Sequence, residues 1–281
     1  MDREEYTHPR CWAGHTRECS RQISREHIVS SSAFESELLT VSGLPFLDGE
    51  TKEIPTERMA TKALCTAHNT ALSPLDDAVG DFCNVLREVE RLRQERVKIP
   101  RVRKTHRFVL DGPAVERAVL KIALNLHRVL RKDTFPEWEM PSHVADTVLG
   151  RRDLPDGAGL ATLTPVGVTL QNEDAGLVGF EPCEEPRYIV FRLRGHFTFV
   201  CTWDTPVTHL EDLVFEEETL GRGTAALFHL KRINVMQGKR DLRLSLDFDW
   251  SGEWNERAHR NVTGLRGRFP TARLTARKRK R

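Results

Sequence analysis

The chain has 281 residues, 39% of them hydrophobic, with 43 Lys and Arg against 41 Asp and Glu for a formal charge of +2. That length and apolar content suit about two domains with a buried core, which excludes wholesale disorder, and the near-balanced charge gives no sign of a polyanion-binding protein from the total. The longest apolar stretch, residues 118–126, is broken by Lys121 and Asn125 and is far short of a membrane span; the opening MDREEYTHPR has no apolar signal core. The expectation is a cytoplasmic protein with no membrane partner. Six cysteines are too sparse for a disulfide scaffold and point to metal ligands or buried thiols.

Residues 1–90 hold four of the six cysteines. Within them Leu72, Leu75, Val79, Phe82, Val85, Leu86 and Val89 recur at spacings of three or four, which predicts one apolar helical stripe. Ser73 and Pro74 read as an N-cap followed by Pro in the first turn, and Cys83 falls on the stripe as a core residue. Residues 91–107 carry eight Lys or Arg against one Glu, a basic linker in which Arg101, Arg103 and Lys104 are candidates for phosphate contact. GPAVERAVLKIALNLHRVLR, residues 112–131, is a second helix with Val115, Val119, Ile122, Ala123, Leu126 and Leu130 on one face. From about residue 160 the texture changes to short runs rich in Val, Ile, Phe and Thr: GLATLTPVGVTL, RYIVFRLR, FTFVCTW, ALFHLKRINVM and LRLSLDFDW. Gly, Pro and Asp punctuate them, so a mostly antiparallel β region is expected. Phe197, Phe199 and Trp203 read as facing a sheet core, Cys183 and Cys201 as buried thiols, and Trp250 and Trp254 as weaker candidates for stacking on bases. Residues 264–281 carry eight basic residues and no acid. Arg277, Lys278, Arg279, Lys280 and Arg281 end either a solubilising tail or an electrostatic arm for phosphates. The expected organisation is α+β: an N-terminal Cys/His module (1–90), a basic linker and helical middle (91–150), a β-rich domain of unknown role (151–263) and the tail (264–281).

The chemistry concentrates in CWAGHTRECSRQISREHIVSSSAF, residues 11–34, and ALCTAHNTALSPLDD, residues 63–77. Cys65 and His68 form a C-x-x-H pair, a spacing at which one tight turn aims two ligands at a single ion. With Cys11 and Cys19 they make a Cys₃His set of the kind that holds structural zinc. The eight-residue step from Cys11 to Cys19 is long for a zinc knuckle, and His15 is an alternative to one of the thiols. The Glu26-His27 step opens the apolar pair Ile28-Val29. Asn69 follows His68 directly, and Asp76 and Asp77 come seven and eight residues later on the stripe helix.

That order of parts resembles the HNH, or His-Me finger, endonuclease superfamily, and within it the subset braced by structural zinc. That subset has two Cys, an acid-His step, a C-x-x-C-N turn and a helix; here the turn reads Cys65-Thr66-Ala67-His68-Asn69, with His68 in place of the second Cys. The resemblance is carried by ISREHIVSSSAF and LCTAHNTALSPLDD and covers under a third of the chain. It implies a ββα-metal module in which His27 is the general base toward water. Glu26 and a helical carboxylate, Asp77 ahead of Asp76, would bind Mg²⁺ or Mn²⁺. Asn69 would hold the loop that orients His27, and Cys11, Cys19, Cys65 and His68 would hold zinc. An aspartate stands where the superfamily usually ends with His or Asn on the helix. The function implied is hydrolysis of double-stranded DNA, with defence against foreign DNA as its setting by analogy. The alternative is a zinc-containing DNA-binding or interaction module that does not cut. In either case the β-rich half would meet a protein partner or activating ligand; the sequence leaves oligomeric state open.

Overall fold

The computed structural model describes residues 5–41, 47, 49–94, 104–130, 137–165, 187–193, 197–206, 225–229, 235–239 and 242–251. Its ordered elements begin with β1 (Glu26–His27), β2 (Leu38–Val41), β3 (Lys52–Pro55) and β4 (Ala60–Thr61), followed by α1 (Thr66–Ala71) and α2 (Ser73–Gln94). Then come β5 (Lys104–Asp111), α3 (Gly112–Leu130) and α4 (Ser142–Val148). The strands β6 (Gly159–Pro165), β7 (Tyr188–Leu193), β8 (Phe197–Thr202), β9 (Ala225–His229), β10 (Val235–Lys239) and β11 (Leu242–Asp249) complete an α+β chain. No described helix is long and apolar enough to cross a membrane.

β1 pairs antiparallel with β4, Glu26 opposite Thr61 and His27 opposite Ala60. Backbone bonds extend the ribbon both ways: Ile28 N–H to Met59 O at 2.8 Å, Ser24 N–H to Leu64 O at 2.8 Å and Thr66 N–H to Gln22 O at 2.9 Å. It is not a tight hairpin. The chain makes a long excursion between its strands, part of which is the antiparallel pair β2–β3.

The stripe helix forms as expected, with Leu72, Leu75, Val79, Phe82, Cys83, Val85 and Leu86 buried. Its start differs. α1 ends at Ala71, Leu72 makes a turn, and Ser73 already lies inside α2. The Ser73 hydroxyl donates back to Thr70 O at 3.0 Å rather than accepting from a free helical N–H, so it does not act as an N-cap. Gly80 is where α2 meets the turn at Ser31–Ala33: a Cβ there would lie 2.9 Å from Ser32 Cβ, so a side chain would force the two apart.

α3 spans the predicted helix and is capped by Asp111, whose Oδ1 accepts the Ala114 N–H at 2.9 Å. It is more than amphipathic. Leu120, Lys121, Leu124 and Asn125 are buried along with Val115, Val119, Ala123 and Leu126, so α3 is enclosed on nearly all sides. α2 packs against it, and Glu116 Oε2 accepts the Leu160 N–H of β6 at 2.8 Å. The N-terminal module therefore rests on a helix outside it.

The β region forms where the sequence places it. β7, β8, β6 and β9, in that order, make an all-antiparallel sheet. Phe199 and Trp203 are buried, and Phe82 of α2 meets Phe199 edge-on at 5.0 Å. A second sheet, β10-β11-β5, departs from the expected antiparallel texture: β11 runs parallel to β5, Leu242 opposite Lys104 through Asp249 opposite Asp111. The stretch read as basic linker thus runs into a strand, completed by the far end of the chain. Trp250 lies 6.2 Å from the Phe248 ring and against Gly112, where a Cβ would clash with the indole at 2.6 Å. One continuous buried cluster joins Cys11, Leu75, Phe108, Leu120, Phe199 and Phe248. Cys201 is buried as expected, while Cys183, Trp254 and the tail at 264–281 lie outside the described residues.

Candidate metal centre and acid-lysine cleft

The first site is built where the β1–β4 ribbon meets α1. The ribbon ends in a bridge between Ile23 and Cys65. Cys65 then caps α1, its sulfur accepting the His68 N–H at 3.5 Å. The C-x-x-H spacing thus becomes one turn at a helix N-terminus. Cys11 and Cys19 arrive on the loop whose short 3₁₀ turn, Gly14–Thr16, ends at Arg17 in the left-handed region (φ 60°). Tyr6 ties the far side of that loop: its N–H bonds Arg17 O at 2.9 Å and its carbonyl accepts the Cys19 N–H at 3.0 Å. These bonds make the eight-residue step feasible.

One ligand atom from each of Cys11, Cys19, Cys65 and His68 lies within 4.8 Å of all the others. His68 Nδ1 is 3.5 Å from Cys11 Sγ, 3.8 Å from Cys19 Sγ and 3.2 Å from Cys65 Sγ. A tetrahedral ion with Zn–S near about 2.3 Å and Zn–N near about 2.0 Å has S···N edges of roughly 3.5 Å. Hydrogen bonding accounts for the geometry less well, because Nδ1 has one lone pair and three sulfurs surround it. The other ring nitrogen fixes the tautomer. Thr16 Oγ1 donates to Ala13 O at 2.8 Å, so at 3.1 Å from Nε2 it accepts the imidazole proton and leaves Nδ1 bare for a ligand bond. The group could hold a metal ion such as zinc.

Burial lowers the His68 pKa, which keeps the ring neutral as a ligand must be. Burial pushes the Cys11 thiol up to about 12, against a smaller pull from the backbone N–H groups of Cys65 and Ala13. Cys19 is likewise raised, chiefly by burial. At Cys65 burial also pushes upward but is outweighed by N–H donation from His68 and Ser20, so this helix-capping sulfur is the one held below its ordinary value. His15 is not in the group: its Nε2 lies 2.8 Å from Asp146 Oδ1. With the ion pair between Arg151 and Glu18, it ties the Cys11–Cys19 loop to α4 and the turn after it.

The second site lies farther along the same ribbon. Glu26 is buried, 4% exposed, and its Oε1 lies 2.6 Å from Nζ of Lys121 on α3, which is 3% exposed. The same ammonium donates to Asp76 Oδ1 at 2.9 Å and Oδ2 at 3.0 Å. Burial raises the Glu26 pKa, the charge and hydrogen bond of Lys121 lower it, and the charge of Asp76 raises it again; the outcome is a raised value. His27, half-buried, lines a narrow cleft with Asp76, Lys121 and Asn125. The two carboxylates therefore share one cation position, a donor set suited to a hard ion, and in this structure the cation there is an ammonium.

Two expectations are corrected here. Asp76, not Asp77, meets Glu26; Asp77 is exposed. Two turns of helix is about 7.2 residues, so the position two turns beyond Asn69 is Asp76; Asp77, eight residues on, points about 80° past the two-turn direction. Asn69 does not hold the His27 backbone: its Nδ2 donates to Ser24 Oγ at 2.7 Å, three residues upstream. Asn125, fully buried, does that instead. Its Nδ2 donates to His27 O at 3.0 Å while its Oδ1 accepts from Trp12 Nε1 at 3.0 Å, which links the residue beside Cys11 to the His27 main chain. Lys121 and Asn125 had one signal in the sequence, two polar residues interrupting an apolar helix face. Of the proposed phosphate contacts, Arg101, Arg103, Arg277, Lys278, Arg279, Lys280 and Arg281 lie outside the described residues. Lys104 opens β5, with its side chain outside the description.

No family model, no curated protein and no solved structure matches this chain.

Proposed function

We propose that the chain is a metal-dependent DNA endonuclease of the HNH type, with a Cys11, Cys19, Cys65 and His68 zinc centre as its brace. The observation that carries the proposal is the placement of Glu26, on the ribbon that ends at Cys65, and Asp76 on one cation position, with Asp76 and Lys121 lining a cleft that His27 also lines. Sequence resemblance over the first 80 or so residues supplies the reaction class. His27 would act as the general base that takes a proton from water. Asn125 fixes the main chain from which that ring projects, and Trp12 fixes Asn125. Glu26 and Asp76 would hold Mg²⁺ or Mn²⁺, which when bound supplies positive charge toward the phosphate and the leaving oxygen. The basic residues at 101, 103 and 104 and the basic tail would add phosphate attraction independent of sequence. Defence against foreign DNA is the setting proposed, and the β-rich half would receive a protein partner or activating ligand.

The experiment is cleavage of supercoiled plasmid in Mg²⁺ or Mn²⁺. The wild-type chain is expected to convert it to nicked or linear forms, and His27→Ala to lower that rate by about 100-fold or more, the range for a lost general base. Absence of cleavage in both ions, or cleavage unchanged by His27→Ala, overturns the proposal. A second reading is favoured by a specific observation: Lys121 already fills the cation position. It makes the chain a zinc-braced DNA-binding module that does not cut, recognised by retained plasmid binding with no cleavage.

A further inference from the structure

Lys121 reaches the Glu26–Asp76 pair from α3, outside the segment that resembles a nuclease. Its ammonium contacts Glu26 Oε1 and both oxygens of Asp76 at 2.6–3.0 Å. The Lys121 and Glu26 side chains are only 4% and 5% exposed, so water screens their attraction weakly. Two carboxylates and one ammonium leave a formal charge of −1, enough to attract a divalent ion but with the best position already taken. Asp76 and Lys121 line one narrow cleft, so the ammonium stands where an ion bridging the two acids would have to sit.

We propose that Lys121 is a built-in counter-cation that competes with divalent metal for the carboxylates of Glu26 and Asp76, so that the ion loads only as the ammonium withdraws. The inference rests on the reading above for which carboxylates take a catalytic ion, and it adds the residue that governs their loading. The lysine lets the buried acids fold without metal, and it sets the metal concentration at which the site opens. Replacing a buried ammonium by a neutral side chain leaves Glu26 without its partner and makes an added cation more favourable there.

The test is Mn²⁺ titration of the zinc-loaded full chain without DNA, by calorimetry and by the electron paramagnetic resonance of free Mn²⁺. Lys121→Met is expected to bind one Mn²⁺ at least tenfold more tightly than wild type. Adding Glu26→Gln to Lys121→Met removes the gain, and Lys62→Met, at an exposed lysine beside β4, leaves affinity at the wild-type value. Equal affinities in Lys121→Met and wild type overturn the proposal, as does a gain that survives Glu26→Gln or appears equally in Lys62→Met. If Lys121→Met does not fold alone, Mn²⁺ must restore its fold, and a chain still unfolded at saturating Mn²⁺ also overturns it. Because no DNA is present, the outcome is separate from plasmid cleavage. Cleavage sensitive to His27→Ala with no Lys121 effect on Mn²⁺ removes this inference alone, and Lys121-dependent Mn²⁺ binding without cleavage removes the nuclease reading alone.

Discussion

The Cys/His centre and the Glu26–Lys121–Asp76 cleft sit on one β ribbon, yet they are assembled in different ways. Every member of the first comes from the N-terminal 68 residues, and its key turn is a three-residue step at a helix cap. The second takes one residue from the ribbon, one from α2 and one from α3, with 45 residues separating Asp76 from Lys121. The first needs soft ligands at a local spacing; the second needs two helices packed in the right phase. Trp12 and Asn125 join them, since one hydrogen-bonded pair leads from the residue next to Cys11 to the carbonyl of His27. The comparison teaches that the Cys/His half is self-contained in sequence, whereas the acid cleft depends on the rest of the fold.

The largest effect expected from breaking this arrangement falls on the Cys/His half. Cys65→Ser removes a ligand and the sulfur cap of α1 together. It should abolish stoichiometric zinc and cost at least about 3 kcal/mol, a fall in Tm of roughly 6–12 °C for a chain of this size. Zinc content and calorimetry on the same sample check it. The same centre carries a pH signature. Cys11 and Cys19 have raised pKa values and must lose their protons to bind zinc, whereas His68, lowered, is already neutral. Zinc binding therefore releases protons, and affinity falls as pH drops, by about tenfold per pH unit for each proton released. Chelator competition between pH 6 and pH 8 should show affinity rising steeply with pH; a flat profile would mean the thiols are not ligands.

The joint between the two sites comes next. Asn125→Ala takes away the partner that the partly buried Trp12 N–H and His27 carbonyl share, at about 1–3 kcal/mol. Urea unfolding should show that loss, and zinc content should stay at one per chain. Plasmid cleavage should fall by more than the unfolded fraction explains, because His27 loses its fixed main chain. Zinc loss in Asn125→Ala would show that the two sites are one cooperative unit.

The smallest effect separates the two aspartates. Asp77 is exposed, so Asp77→Asn should change stability by less than about 0.5 kcal/mol and leave cleavage unchanged. Asp76→Asn weakens the hold on Lys121 and should lower cleavage at limiting Mg²⁺. A reversed ranking in a Mg²⁺ titration would overturn Asp76 as the acid that matters.

Much of the architecture was legible because it depends on local periodicity. The apolar stripes of α2 and α3 and the short β-branched runs of β6, β7, β8, β9 and β11 formed where the pattern placed them, while the run at 226–236 proved to hold the end of one strand and the start of another, β10. Chain pairing at long range was not legible. Nothing in the basic run before β5 announces a strand paired in parallel with β11, because a single strand's pattern does not name its neighbour. The start of α2 was misplaced because Ser73 and Pro74 satisfy an N-terminal signal that the preceding short helix makes unnecessary.

The amino-acid sequence by itself picked out Cys11, Cys19, Cys65 and His68 as one group by ligand type and a one-turn spacing, with His15 as an alternative that its contact with Asp146 then removed. It also placed Glu26 and His27 on a strand. Tertiary structure alone decided that Asp76 rather than Asp77 faces inward, that Lys121 supplies the cation between the acids, and that Asn125 rather than Asn69 holds His27. The reason is geometric: a polar residue on a helix gains a chemical role only when packing brings a partner to its buried face. For Lys121 and Asn125 that partner lies more than ninety positions away, on a ribbon that reaches them only once α2 and α3 are packed together.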